Sequence, residues 1–185
     1  MSAADEQQLI LQSKEGNVQA FRLLVERYMK QAYNIAYGVV NHHDEAEDIA
    51  QESFVRIYQS IGSFRGDAQF STWLYRIVMN FSLNKMSQKK NRVRYEVSMR
   101  ETIQVEAGCS HTPHHQPDVQ MHIERAIHKL PTLQRAVVIL RHLNGLSTKQ
   151  VSGILQCSEG TVKTHLHRGL KKMRVMLDFL ENDER

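Results

Sequence analysis

Residues 147–174 read STKQVSGILQCSEGTVKTHLHRGLKKMR, and their pattern is a short helix, a three-residue turn and a longer helix. Ser147 is a good N-cap for the first helix, because its hydroxyl can accept from an orphan backbone N–H. Val151, Ile154 and Leu155 are expected to pack that helix inward, and Gly153 to permit a close approach. Gln156, Cys157 and Ser158 form the turn, with Ser158 placed to cap the second helix. Val162, Leu166, Leu170 and Met173 recur at helical spacing and are read as its buried stripe. That leaves Thr161, Lys163, Thr164, His167, Arg168, Lys171 and Lys172 facing outward, with Arg174 beyond them and no acid among these residues. Such a helix fits the major groove of B-DNA, where its early outward residues meet base edges. Arg168 can pair bidentately with guanine, and Lys163 and Thr164 can reach a base or a phosphate. Lys171, Lys172 and Arg174 lie further along and suit phosphates. A helical hairpin with a merely charged face explains the spacing less well, since it requires neither the two caps nor the short turn. Cys157 reads as a small, half-buried apolar residue.

Upstream of the hairpin, VQMHIERAIHKL at 119–130 stops at Pro131. PTLQRAVVILRHLN then continues with Leu133, Val137, Val138 and Leu140 inward, and Gly145 ends it. Residues 20–40 carry Ala20, Leu24, Ala32, Ile35 and Val39 at helical spacing, a core-facing amphipathic helix. A second helix is expected to start at the N-cap Asp44 and to end at Gly62. Ile49, Phe54, Ile57 and Ile61 form its apolar side. Asp44, Asp48 and Glu52, spaced four apart with Gln51 beside them, lie on another face. SFRGDAQ at 63–69 is a loop. FSTWLYRIVMNFSLNKM at 70–86 opens a third helix, capped by Ser71 or Thr72, with Trp73 read as core. The 185 residues hold only 9 Gly and 3 Pro, so breakers are scarce and an all-α fold is expected.

Residues 96–118, EVSMRETIQVEAGCSHTPHHQPD, lack clean periodicity and hold two of the three prolines, so they read as a linker. Cys109, His111, His114 and His115 crowd this segment. A metal site needs spaced ligands on a firm frame, and a polar, His-rich linker is the simpler account, so no metal is expected. With only Cys109 and Cys157 present there is no disulfide framework, which fits a reducing cytosol.

The net charge of +4 is unevenly distributed. Residues 1–83 carry seven Lys and Arg against ten acids, whereas NKMSQKKNRVR at 84–94 carries Lys85, Lys89, Lys90, Arg92 and Arg94 with no acid. This basic stretch and the one on the last helix suggest two contacts with a polyanion rather than two solvated faces. Neither a signal-peptide pattern at the N-terminus nor a run of about 18 apolar residues is present, so a soluble, cytoplasmic protein without membrane insertion is expected. No Gly-rich phosphate loop, HExxH or GxSxG occurs, and His42-His43 beside Asp44 reads as polar surface, so an enzyme is not expected.

Together the motifs resemble those of a known family. DEAEDIAQESFVRIYQSIGSFRGDAQFSTWLYRIVMN at 44–80 resembles conserved region 2 of the bacterial extracytoplasmic function (ECF, group 4) sigma factors of the sigma-70 family. LPTLQRAVVILRHLNGLSTKQVSGILQCSEGTVKTHLHRGLKKM at 130–173 resembles their region 4, and AFRLLVERY at 20–28 the start of region 2. The resemblance implies two small helical domains, a region 2 bundle at 1–95 and a region 4 helix-turn-helix at 119–185, joined by a flexible linker at 96–118. It implies core RNA polymerase as a partner, bound through its clamp helices and its flap. Promoter DNA and an anti-sigma factor, often tied to envelope or environmental stress, are the other implied partners. No cofactor and no catalytic residue are implied. Carried over by position, Asp48, Gln51 and Glu52 fall in the motif that meets the clamp. Phe64, Arg65, Gly66 and Asp67 fall in the loop that captures an unstacked −10 base, and Asn80 falls where the family places a base-contacting Asn. Lys89, Lys90 and Arg92 would support the −10 contact, and the outward face from Thr161 to Lys172 would read the −35 element. This chain departs from the family in lacking an acid at Leu83-Asn84-Lys85 and in carrying Gln150 where a Glu is usual. A free-standing helix-turn-helix regulator is the alternative function. It normally pairs the hairpin with a sensor or dimerisation domain instead of the 44–80 motif.

Overall fold

An asparagine at each end delimits the central helix. A computed structural model describes residues 3–99 and 119–182, with side chains described for 5–92 and 119–178. Helix α1 covers Ala3–Lys14 and α2 covers Val18–Val40. The Asn17 Oδ1 accepts from the backbone N–H groups of Gln19 and Ala20 at 3.0 and 3.1 Å, satisfying two of the orphan donors of α2. At the other end Asn41 turns left-handed, φ 56°, and its N–H returns to the Tyr37 carbonyl. Between these caps Leu24, Ala32, Ile35, Ala36 and Val39 are fully buried, the stripe expected from their spacing.

Helix α3, His43–Ser60, starts one residue before the expected Asp44 cap. Extended His42 is the cap, and its ring nitrogen Nδ1 accepts from the Glu45 N–H at 3.5 Å. Asp44 and Glu45 sit instead in the first turn, where carboxylates face the positive end of the helix dipole. Gly62 does not stop the helix with a left-handed turn. The chain tightens into a 3-10 turn at Ile61–Ser63, and among the described residues the glycines with positive φ are Gly16, Gly66 and Gly145. Helix α4, Phe70–Met99, runs past residue 95. The N–H groups of Thr72 and Trp73 bond to the Gln69 carbonyl, so the helix opens before Ser71 and Thr72. Helices α2, α3 and α4 pack on one another, with α1 laid along α2.

The second half comprises α5 (Val119–His128), α6 (Thr132–Val138), a π-helical turn at Ile139–Leu143, α7 (Thr148–Leu155) and α8 (Glu159–Asn182). Three inward expectations change here. Leu133 is 49% exposed, because α6 turns Gln134, Arg135, Val137 and Val138 inward instead. Leu170 lies on the rim of α8 at 38% exposure, and Gly169 takes its place at the buried interface. A Cβ on Gly169 would lie 3.0 Å from Val138 Cγ2, so the missing side chain lets α8 approach α6. Gly153 has no such neighbour within 4 Å, and the close approach expected there is found at Gly169.

The two halves touch, α2 meeting α5 and α6 while α4 meets α7. Gly38 on α2 admits Ile139, whose Cδ1 would lie 2.8 Å from a Cβ at that position. Arg135 is 8% exposed, and its Nη1 donates to the Val39 carbonyl at 2.6 Å. Its Nη2 donates to the carbonyls of His128 and Leu130. One guanidinium therefore serves orphan carbonyls at the ends of two helices, α2 and α5, from opposite halves of the chain. Among the described residues no strand occurs, and no helix is long and apolar enough to cross a membrane.

Candidate nucleic-acid interface

The hairpin at 147–174 is closed by local bonds. Ser147 Oγ accepts from the Gln150 N–H at 3.2 Å, and the Gln150 side-chain oxygen accepts from the Ser147 N–H at 2.8 Å. This is a reciprocal capping box in which glutamine serves as well as glutamate, because the amide oxygen accepts as a carboxylate would. Gln156 turns left-handed at φ 52° and returns its N–H to the Ser152 carbonyl. Ser152 Oγ donates to the Cys157 carbonyl at 2.7 Å, and Ser158 Oγ accepts from the Thr161 N–H at 3.0 Å. Cys157 is half-buried and free.

These caps set the rotation of α8. Val162, Leu166, Gly169 and Met173 face the core. At about 100° per residue, Thr164 and Lys171 then stand opposite that stripe, with His167 and Arg168 beside them. Lys163, Thr164, His167, Arg168, Lys171 and Lys172 are all exposed. Two hydroxyls are already engaged: Thr164 Oγ1 donates to the Gly160 carbonyl at 2.9 Å, and partly buried Thr161 pairs its Oγ1 with Ser158 Oγ. Thr164 therefore presents its methyl and its oxygen lone pairs outward, a surface suited to a thymine methyl or a base donor. Lys172 lies toward the core-facing edge of the helix, where it lines a groove with Lys129, Gln134 and Arg168.

The loop before α4 is built around Phe64. Its ring lies 5.0 Å from Trp73 and edge-on to Phe70 at 5.9 Å. Gly66 holds φ +81°, a conformation that L side chains rarely adopt, which leaves Arg65, Gly66 and Asp67 exposed on a sharp bend. Trp73 was expected in the core. It packs against Phe70 but is only partly buried, and it lines a cavity of about 540 Å³ with Phe64, Arg65 and Asp67. Arg76 and, from the other half, Lys149 complete the cationic part of its wall. Neither was singled out from sequence. Arg76 follows Trp73 by three residues and so shares its helix face, a signal that was available. Asn80 is exposed further along α4.

Asp48, Gln51 and Glu52 are exposed together on α3 and line one groove with Val55, Arg56, Gln59 and Phe81. Val55, 58% exposed, adds an apolar contact that the acidic spacing did not indicate. The basic stretch of α4 is less free than its composition implies. Lys85, Lys89, Lys90 and Arg92 are all exposed, and Lys89 Nζ lies 3.6 Å from Glu45 Oε1 of α3. The side chain of Arg94 and the group Cys109, His111, His114 and His115 lie outside the described residues. Among the described residues no three His, Cys, Asp or Glu gather as metal ligands.

The Sigma-70 region 2 family matches residues 24–92, and the Sigma-70 region 4 family matches residues 120–173. The ECF RNA polymerase sigma factor SigW of Bacillus subtilis (strain 168) is 34% identical over 91% of this chain and 94% of its own length. The chain belongs to the ECF RNA polymerase sigma factors. The ECF RNA polymerase sigma-E factor of Escherichia coli (strain K12) is 33% identical over 88% of this chain and 89% of its own length. The fold is likewise that of solved sigma factors. The sigma factor RpoE from Bartonella quintana, in complex with the anti-sigma factor NepR, aligns with a TM-score of 0.70 at 24% identity, over 87% of this chain and 98% of its own. CnrH in complex with the cytosolic domain of CnrY aligns with a TM-score of 0.68 at 22% identity, over 94% and 97%. Within this sigma factor the acidic groove and the Phe64 loop lie inside the region 2 match, and the capped hairpin lies inside the region 4 match. Helix α1 lies outside both.

Proposed function

We propose that this chain is a group 4 ECF sigma factor that binds core RNA polymerase and directs promoter-specific initiation in the cytoplasm. Its activity responds to envelope or environmental stress and is restrained by an anti-sigma factor. The observation that carries the reading is the doubly capped hairpin, whose exposed face from Lys163 to Lys172 holds four cations and no acid, in a chain that also bears the region 2 loop. In this reading residues 1–95 form the −10 and clamp-binding domain, 96–118 the linker and 119–185 the −35 domain. Asp48, Gln51 and Glu52 meet the clamp helices, Phe64 to Asp67 with Asn80 grip the unstacked −10 strand, and Lys89, Lys90 and Arg92 support it. Thr161, Lys163, Thr164, His167 and Arg168 read the −35 bases, while Lys171 and Lys172 hold phosphate. The anti-sigma partner is supported by the Bartonella quintana complex.

Reconstituted transcription tests this. Added to core polymerase with no other sigma factor, the chain should produce specific transcripts, whereas a free-standing regulator would produce none. Reversing the acidic face with Asp48→Lys and Glu52→Lys should abolish co-purification with core polymerase while the helical circular dichroism signal stays unchanged. Undiminished co-purification would remove the clamp assignment.

A further inference from the structure

Phe64 is held from a distance as well as by its neighbours. Helix α1 ends at Lys14, whose Nζ donates to the Phe64 carbonyl and lies 5.7 Å from the centre of the same residue's ring. The lysine thus grips both the backbone and the side chain of the residue that opens the loop. A cation over an aromatic face contributes about 0.5–1 kcal/mol at exposed sites. Within the loop's own neighbourhood the backbone anchors are the Phe64 N–H to the Ile61 carbonyl before the bend and the Gln69 carbonyl after it.

Helix α1 is itself firmly seated. Glu6 accepts from the Tyr28 hydroxyl at 2.6 Å and from Arg27 at 3.1 Å, and Leu9 and Ile10 are buried. Tyr28 in turn packs its ring 5.4 Å from Phe70, which borders Phe64. The end of α1 is therefore a fixed point relative to the aromatic nest.

We infer that Lys14 is a positioning residue for the −10 strand. Its ammonium sets the angle of Phe64 and so the bend at 64–67 that receives the unstacked base. This rests on the base-capture reading of that loop and adds to it a residue of α1, outside both matched regions.

Trp73 supplies the readout, since it is the chain's only tryptophan and lies 5.0 Å from Phe64. The full-length chain is compared with its Lys14→Ala and Lys14→Arg variants. The probes are a single-stranded oligonucleotide and a duplex, each selected against the wild-type chain from randomised pools. Lys14→Ala should weaken single-strand binding about five-fold, the scale of one exposed cation–π contact with its hydrogen bond. Acrylamide quenching of Trp73 should rise, while duplex affinity stays within about two-fold. Lys14→Arg should restore both, because the guanidinium also donates and stacks. Wild-type binding and quenching in Lys14→Ala would overturn the inference. So would a failure of Lys14→Arg to restore them, or an equal loss on the duplex, either of which means only that α1 has come loose. Arg65→Ala separates the two readings. If it leaves single-strand binding intact, base capture by the loop is wrong; if it weakens binding while Lys14→Ala does not, only the role of Lys14 is wrong.

Discussion

The turn between α7 and α8 is closed by bonds spanning five residues or fewer, whereas the loop between α3 and α4 is held by a lysine 50 positions away. The hairpin takes its shape from Ser147, Gln150, Ser152 and Ser158, each bonding within its own turn, and Gln150 also reaches α4, where its Nε2 donates to Thr72 at 3.4 Å. The loop takes its shape from Phe70, Trp73 and Lys14, on two different helices. A locally closed element presents a stiff face suited to base edges in an intact groove. A loop assembled from distant supports presents a bend and a cavity, suited to a base that has left its stack.

The largest expected effect tests how far the second half depends on the first. Arg135→Ala removes the guanidinium that serves Val39, His128 and Leu130, leaving buried carbonyls unpaired. It should cost about 3 kcal/mol, read as a lower urea midpoint. A loss under about 1 kcal/mol would mean that water replaces these contacts and that Arg135 is not what joins the halves.

Next comes the rigid face itself. Arg168→Ala should cost about 1–3 kcal/mol on a matched −35 duplex and far less on a scrambled one, while Lys172→Ala weakens both alike. Titrations at one fixed salt decide it. Equal losses for Arg168→Ala would turn the reading of the face toward Lys163, Thr164 and His167.

The local caps are worth less. Ser147→Ala should lower stability by about 1 kcal/mol. The thermal midpoint should fall, and Trp73 fluorescence should shift with it, because Ser147 and Gln150 line the same cavity as Trp73 and Gln150 donates to Thr72 at 3.4 Å. Unchanged fluorescence would show that the cap's local closure does not reach the loop, which would sharpen the contrast.

The smallest effect at neutral pH, because it is present only in acid, is a pH dependence at the junction. Burial, and then the charge of Arg135, lower the His128 pKa to about 4, and its ring meets Tyr37 edge-on at 5.8 Å. The unfolded chain takes up this proton below about pH 6.5 while the folded chain refuses it until about pH 4. Stability is therefore fully present above pH 6.5 and lost progressively down to pH 4. His128→Gln should flatten that slope in acid denaturation. An unchanged slope would assign it to other groups.

Much of the hairpin was legible because its information is short-range. Cap residues, turn length and a 3.6-residue stripe all lie within one window, and both Ser147 and Ser158 cap as expected. The readings that changed have physical reasons. Leu133 and Leu170 fit an apolar period, but a buried arginine and a close-packed glycine set the actual rotation of α6 and α8. The basic run of α4 looked uniform, yet a neighbouring helix brings Glu45 to Lys89. Trp73 was counted as core because aromatic residues in a helical stripe usually are, and only the placement of the loop shows the cavity that it lines.

By itself the sequence determined the helices, the hairpin, the family motifs and the acid-free outer face of α8, since each depends on periodicity and on partners a few residues apart. The tertiary structure alone decided which cations are free, which glycine admits a neighbouring helix, how Arg135 joins α2 to α5, and that Lys14 reaches Phe64. Those contacts join residues tens of positions apart, and their geometry exists only once the helices have packed.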